Sequence, residues 1–237
     1  MYSLFGLGLL LGIQHALEAD HVAAVAALTR RGVSVRQATA YGASWGVGHA
    51  ITLLMFGGLA LALDAQLSQE LAKWLEFAVG VMLLALGLKV TISVVRDRVH
   101  IHAHHHDCGT YHIHMHSHGH EKQRQHGQSM HEHRHMKLRL RDLMQSMTVG
   151  IMHGLAGTAA LIVFVTATSV DSKLFGIGYI VVFGLGSILG MAVLSIVVSC
   201  PATIIARKMP LFGEFIRLSM GLATITLGGF IVAANWI

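Results

Sequence analysis

Apolar residues in this chain neither alternate nor recur on a single face; they fill long blocks. Residues 2–28, 39–63, 71–95, 143–170, 174–199 and 211–237 are hydrophobic almost throughout, and the polar residues gather between them. A helix needs roughly 20 such residues to cross about 30 Å of hydrocarbon. The pattern therefore predicts an all-α, polytopic membrane protein with six transmembrane helices. The spans take up most of the chain and leave no room for a separate soluble catalytic domain. The composition agrees: 54% of residues are apolar and 12% charged, against about 25% charged in ordinary soluble domains. The opening Met1-Tyr2-Ser3-Leu4-Phe5 lacks the positive n-region of a cleaved signal peptide, so the first span is expected to be retained. Two cysteines, Cys108 and Cys200, make no disulfide framework.

The formal charge of +5 and a pI near 9.5 do not point to nucleic acid, because the cations sit in alternate loops. Loop one holds Arg30, Arg31 and Arg36. Loop three holds Arg96, Arg98, Lys122, Arg124, Arg134, Lys137, Arg139 and Arg141, and loop five holds Arg207 and Lys208. Loops two and four offer only Lys73 and Lys173 beside Asp64, Glu70 and Asp171. The positive-inside rule then places loops one, three and five in the cytoplasm and both termini outside. The expected location is the inner cell membrane, with the lipid bilayer as the chief partner.

The chain also resembles itself. At one constant offset, Gly12-Ile13-Gln14-His15-Ala16-Leu17 lies over Gly150-Ile151-Met152-His153-Gly154-Leu155. The same offset sets Tyr41, Trp45, Gly46 and Gly48 on Tyr179, Phe183, Gly184 and Gly186. After a small slip, Gly80 and Gly87 match Gly221 and Gly228. Each unit holds three spans, an odd number, so the second enters the membrane in the opposite sense. This predicts an inverted 3+3 repeat, an arrangement that places a transporter's site at the repeat interface near mid-membrane. The expected organisation is residues 1–95 as the first unit, 96–142 as a cytoplasmic loop and 143–237 as the second unit. Gly46, Gly48, Gly184, Gly186 and Gly190 give spans two and five small faces for close packing in lipid.

Ionisable groups inside spans are costly. The first span carries His15, Glu18, Asp20 and His21 within one short stretch, the second carries His49, and the fourth His153. A divalent metal ion is the economical explanation, since imidazole and carboxylate suit nickel, cobalt or zinc; a structural polar network or proton relay is the plainer one. At about 100° per residue, His15, Glu18 and His21 share an arc about 120° wide, whereas Asp20 points about 140° away from His15. Either the helix breaks near Glu18 and Asp20, as transporter helices do at their sites, or Asp20 orients an imidazole from outside the ligand set. No Gly or Pro between Ile13 and Arg31 announces a break.

Between spans three and four lie fourteen of the 18 histidines. Val99-His100-Ile101-His102-Ala103-His104 and Tyr111-His112-Ile113-His114-Met115-His116-Ser117-His118 alternate with period two, which predicts a short β-hairpin turning at Asp107-Cys108-Gly109-Thr110. Residues 121–135 are expected to be disordered. His100, His102, His104, His112, His114, His116 and His118 form an auxiliary metal-binding set by composition.

His15-Ala16-Leu17-Glu18-Ala19-Asp20-His21 resembles the His-x4-Asp-His signature of the nickel/cobalt transporter (NiCoT) family. Gly48-His49 resembles that family's Gly-His element in the next helix. The chain's length and Gly150-Ile151-Met152-His153-Gly154 are more similar to the shorter nickel permeases associated with urease and hydrogenase operons. The resemblance implies secondary transport of Ni(II) or Co(II), with His15, Asp20 and His21 essential, His49 contributing, and a cytoplasmic nickel chaperone as a candidate partner. Two positions depart from the family pattern. Glu18 replaces a more usual Asp, and Leu155-Ala156-Gly157-Thr158 stands where longer members carry an acidic Asp-Thr motif. No G-x-x-x-x-G-K-S/T phosphate loop and no H-E-x-x-H helix occur, so a permease is expected, with no enzyme activity and no organic cofactor. Uptake driven by membrane potential is the leading reading. A nickel or cobalt exporter, a zinc carrier of similar architecture and, more remotely, a haem-binding or metal-dependent membrane enzyme are the rivals.

Overall fold

The computed structural model describes residues 2–28, 33–63, 68–96, 100–105, 111–116, 139–154 and 172–236. Within them lie seven helices: α1 (Tyr2–His15), α2 (Ala19–Leu28), α3 (Val35–Ala62), α4 (Gln69–Arg96), α5 (Leu140–Gly154), α6 (Lys173–Lys208) and α7 (Pro210–Ala234). Two short strands, β1 (His100–His105) and β2 (Tyr111–His116), fall between α4 and α5. Four helices, α3, α4, α6 and α7, are long and apolar enough to cross a membrane.

The first expected span is not one helix. It breaks after His15 and resumes at Ala19. Between them the chain tightens into a 3₁₀-like turn, with Leu17 N–H donating to the Gln14 carbonyl (2.9 Å) and Glu18 N–H to the His15 carbonyl (3.0 Å). The fourth expected span is helical over Leu140–Gly154; its remainder, residues 155–170, lies outside the described residues. So do the expected turn at Asp107-Cys108-Gly109-Thr110, the stretch 121–135 and His118.

Helix ends follow local chemistry where they can. Ser34 and Gln37 form a capping box at the start of α3: Ser34 Oγ accepts from Gln37 N–H (3.3 Å) and Gln37 Oε1 accepts from Ser34 N–H (3.0 Å). Helix α7 starts at Pro210, where a missing N–H costs nothing. Helix α6 runs for 36 residues, or ~54 Å at 1.5 Å per residue, which exceeds the roughly 30 Å of a bilayer's hydrocarbon.

Helices α3 and α6 pack on each other at the centre, with α5 against α3, α1 against α6, and α4 against α7. Glycine sets these approaches. A Cβ at Gly12 would overlap the Phe183 carbonyl, and one at Gly186 the Leu9 carbonyl, which fixes α1 on α6. In the same way a Cβ at Gly150 would overlap the Trp45 carbonyl, and one at Gly48 the Met147 carbonyl, which fixes α5 on α3. Gly80 faces the Gly228 carbonyl and Gly87 the Gly221 carbonyl between α4 and α7. In lipid no apolar burial drives helices together, so such backbone contact takes over. Hydroxyls add hydrogen bonds between helices: Ser44 Oγ donates to the Leu143 carbonyl (2.8 Å), Thr52 Oγ1 to the Ile151 carbonyl (3.1 Å) and Thr224 Oγ1 to the Ala23 carbonyl (3.2 Å).

Leu10, Met55, Leu59, Leu88, Val197, Phe215 and Phe230 are exposed, a surface suited to hydrocarbon and not to water. Leu4, near the N-terminus, packs on the buried cluster that includes Leu61 at the end of α3, as does Ile177 at the start of α6. The Trp236 ring lies 5.8 Å from Phe77 at the start of α4. Both termini thus share one end of the bundle with the α3–α4 connection and the start of α6.

The two strands pair antiparallel, with His100 opposite His116, His102 opposite His114 and His104 opposite His112.

Candidate metal centre

The break in the first span delivers its polar residues to one place. His15 ends α1 and is 6% exposed, and His21 lies in the first turns of α2 at 1% exposure. Gly48 and Gly154 let α5 close on α3 at their level, which brings in His49 and His153, each 1% exposed. His15 Nε2 lies 3.2 Å from His49 Nε2. The His21 ring centre is 4.4 Å from that of His15 and 4.1 Å from that of His153. Ligand atoms of His15, His21 and His49 come within 4.8 Å of one another, and so do those of Asp20, His21 and His153.

Asp20 ties the cluster together. Its Oδ1 accepts from the His21 backbone N–H (2.9 Å) and contacts His21 Nδ1 (3.0 Å), while Oδ2 lies 2.9 Å from His153 Nε2. The first turn of α2 is also where backbone N–H groups favour a carboxylate. With Nδ1–H donated to Asp20, His21 presents a lone pair at Nε2, the arrangement that carboxylates impose on metal-binding imidazoles. Glu18 is placed differently. Its Oε1 lies 3.1 Å from His15 Nδ1 without hydrogen-bond alignment, and its side chain is 45% exposed. The arc that an unbroken helix gives to His15, Glu18 and His21 is replaced by a turn that puts Asp20 inside and Glu18 at the edge.

Four imidazole nitrogens, His15 Nδ1, His21 Nε2, His49 Nδ1 and His153 Nδ1, are buried without a hydrogen-bond partner among the described residues. Each such atom costs about 1–3 kcal/mol when left unsatisfied, so this concentration of unspent lone pairs and N–H groups makes the cluster a candidate ligand site. The spacing suits a cation. Two nitrogens about 2.05 Å from a shared ion stand about 2.9 Å apart at a right angle and about 3.3 Å apart at the tetrahedral angle. The 3.2 Å between His15 and His49 falls in that interval. The last turn of α1, where carbonyls favour positive charge, ends at the same point.

Two neighbours of the cluster had no part in the sequence-based site. The Trp45 ring stacks on His21 (5.8 Å, 18°) and sits 5.7 Å from His153. The Phe183 ring lies 5.6 Å from His15. The register that lays His15 on His153 also lays Trp45 on Phe183, which was the available signal. Of the auxiliary set, His100, His102, His104, His112, His114 and His116 lie on the paired strands.

No protein-family profile matches the chain, and no solved structure matches it. The urease accessory protein UreH of Bacillus sp. (strain TB-90) is 31% identical over 225 residues, which cover 95% of this chain and 89% of that protein. With the His-x4-Asp-His stretch folded around a buried site, this likeness shows that the chain belongs to the nickel/cobalt transporter family, alongside UreH.

Proposed function

We propose that this protein is a permease that carries Ni(II), with Co(II) as the second candidate cargo, across the cell membrane into the cytoplasm. The observation that carries the reading is the meeting of His15, His21 and His49 with Asp20 and His153 at a helix break inside an apolar bundle. Buried imidazoles with unspent nitrogens replace an ion's water, and the Asp20 carboxylate offsets part of its charge. His15, His21 and His49 are the ligands. Asp20 orients His21 and His153, and Glu18 lies at the entry edge beside His15. Membership in the UreH family, and the name of that relative as a urease accessory protein, fit a role in supplying nickel to urease. A dication moving down a negative-inside potential gains about 4.6 kcal/mol per 100 mV, twice the roughly 2.3 per elementary charge. This drives uptake without a nucleotide.

In this reading residues 1–95 and 143–237 are an inverted repeat of three spans each, and transport is the rocking of one unit against the other. Its support is a set of contacts that mirror one another. Gly12 meets the Phe183 carbonyl as Gly150 meets that of Trp45, and Gly186 meets Leu9 as Gly48 meets Met147. The cation-rich loops face the cytoplasm and both termini face outside; the shared end of the two termini supports their lying on one side of the membrane, and the cations in the alternate loops support which side it is. The histidine hairpin captures released metal ahead of a cytoplasmic nickel chaperone.

The test is nickel uptake into cells and proteoliposomes. His21→Ala at matched expression is expected to abolish it. Unchanged uptake would overturn the assignment, and cells made nickel-resistant by the parent protein would reverse the direction.

A further inference from the structure

The histidine cluster is bounded differently on its two sides. Toward the end where both termini lie, Phe183 stands against His15 and is packed solidly with Leu53, Leu61, Tyr179 and Ile180. Toward the opposite end, Trp45 stands against His21 and His153. Behind it is a cavity of about 20 Å³ lined by Trp45, Tyr41, Ser146, Ser195 and Ser199 among apolar side chains. A second cavity of about 40 Å³ shares Tyr41 and Ser146 and adds Asp142 and Gln145, at the start of α5. The oxygen-bearing side chains thus continue from the indole toward the loop that carries most of the cations.

We propose that the Trp45 side chain is the inner barrier of the transport path and that the hydroxyl-lined cavity behind it receives the ion leaving the histidines, with Phe183 the corresponding barrier on the other side. This rests on the permease reading above. The volumes suit the role: a cavity needs about 10–15 Å³ to hold one water molecule. The first cavity therefore admits a nearly bare ion and excludes its full hydration shell, so protein oxygens must stand in for the water. Hydroxyls hold nickel less tightly than imidazoles do, so the ion passes from strong ligands to weak ones, which is what release requires.

The indole is free to serve as the moving part. Its backbone is fixed, because Gly150 packs directly on the Trp45 carbonyl. Its ring lies in a buried apolar cluster with Ala24, Val25, Val149 and Met191, so only packing holds it, and Nε1 has no partner among the described residues, so turning the ring breaks no hydrogen bond. Phe183 repeats the design, with its carbonyl against Gly12 and no polar atom in its ring. Rocking the halves in opposite senses would loosen one ring and clamp the other.

The test separates barrier height from affinity. Full-length protein is loaded with nickel, its Kd is measured by equilibrium dialysis, and release is timed after mixing with excess EDTA. In Trp45→Ala and Phe183→Ala, release is expected to quicken at least tenfold while Kd moves less than threefold. Trp45→Phe should stay near the parent, and Trp45→Leu should fall between, which serves if the alanine variant fails to fold. A bulky maleimide on Gln145→Cys, with Cys108 and Cys200 changed to Ser, should slow release again in Trp45→Ala and leave Phe183→Ala fast. Unchanged release in the Trp45 variants would overturn the proposal. So would a Kd weakened tenfold or more, which would make Trp45 a wall of the binding site. Failure of the parent protein to bind nickel would instead sink the permease reading itself.

Discussion

Asp20 is the most informative position to perturb, because the broken helix gives it the place that a regular helix would give to Glu18. In Asp20→Asn the side chain keeps its shape and loses its charge. The new amide oxygen still accepts from the His21 backbone and Nδ1, at the 2.9 and 3.0 Å now seen. Its NH₂ then faces His153 Nε2, 2.9 Å away, where two donors meet unless the imidazole changes tautomer. The electrostatic loss can be bounded. From Asp20 Oδ1 through the His21 ring to an ion on Nε2 is about 7 Å, taking a metal–nitrogen bond of about 2.05 Å. A dication and a carboxylate at that distance attract by about 5 kcal/mol at an effective dielectric of about 20. Retained hydrogen bonds and relaxation reduce this, and removing a carboxylate behind a metal-bound imidazole costs 10–100-fold in affinity. Asp20→Asn is therefore expected to weaken nickel binding about 100-fold, or about 2.7 kcal/mol, by equilibrium dialysis of purified protein. Glu18→Gln, at a 45% exposed side chain, should cost less than about fivefold, since solvent screens exposed charge. A Kd for Asp20→Asn within threefold of the parent, or a larger loss in Glu18→Gln, would refute the assignment of the two carboxylates.

Other outcomes follow from the same geometry. His15→Ala and His49→Ala each remove one nitrogen of the 3.2 Å pair and should each lower nickel uptake at least tenfold, with the double variant scarcely worse than either alone. Gly150→Ala forces a methyl into the Trp45 carbonyl and should destabilise the protein by about 1–3 kcal/mol, seen as a lower melting temperature in detergent. Gly6→Ala, with nothing within 4 Å of the added carbon, is its control and should leave melting unchanged. Thr224→Val removes the bond from α7 to the Ala23 carbonyl and should cost less than about 1 kcal/mol, as membrane hydrogen bonds generally do. Replacing His100, His102, His104, His112, His114 and His116 with asparagine should reduce the nickel bound per chain while uptake stays within about threefold.

How far the chain announces all this depends on which force decides each feature. Helices α3, α4 and α7 begin and end close to the apolar blocks that predict them, because hydrocarbon thickness sets their length and loop polarity their ends, whereas α6 runs on past its block to Lys208. The small faces of α3 and α6 were legible for a similar reason: where lipid offers helices no hydrophobic drive, glycine is the sequence mark of contact. The break in the first span was legible only as one of two readings of the angle of Asp20, and no local residue chose it. Ala16, Leu17 and Glu18 all favour helix, and neither Gly nor Pro interrupts them, so local preference gives one continuous span. What competes with that preference is spread over three other helices. His49 reaches His15 from α3, His153 reaches Asp20 from α5, and Thr224 of α7 holds the first turns of α2 through Ala23. A regular helix would turn Asp20 away from His15 and strand its carboxylate in lipid. Unwinding one turn sacrifices a few backbone hydrogen bonds and lets Asp20 accept three contacts inside the protein. The feature that assembles the site is thus a tertiary one, and the sequence carried its trace only as a carboxylate whose angle fitted no regular helix.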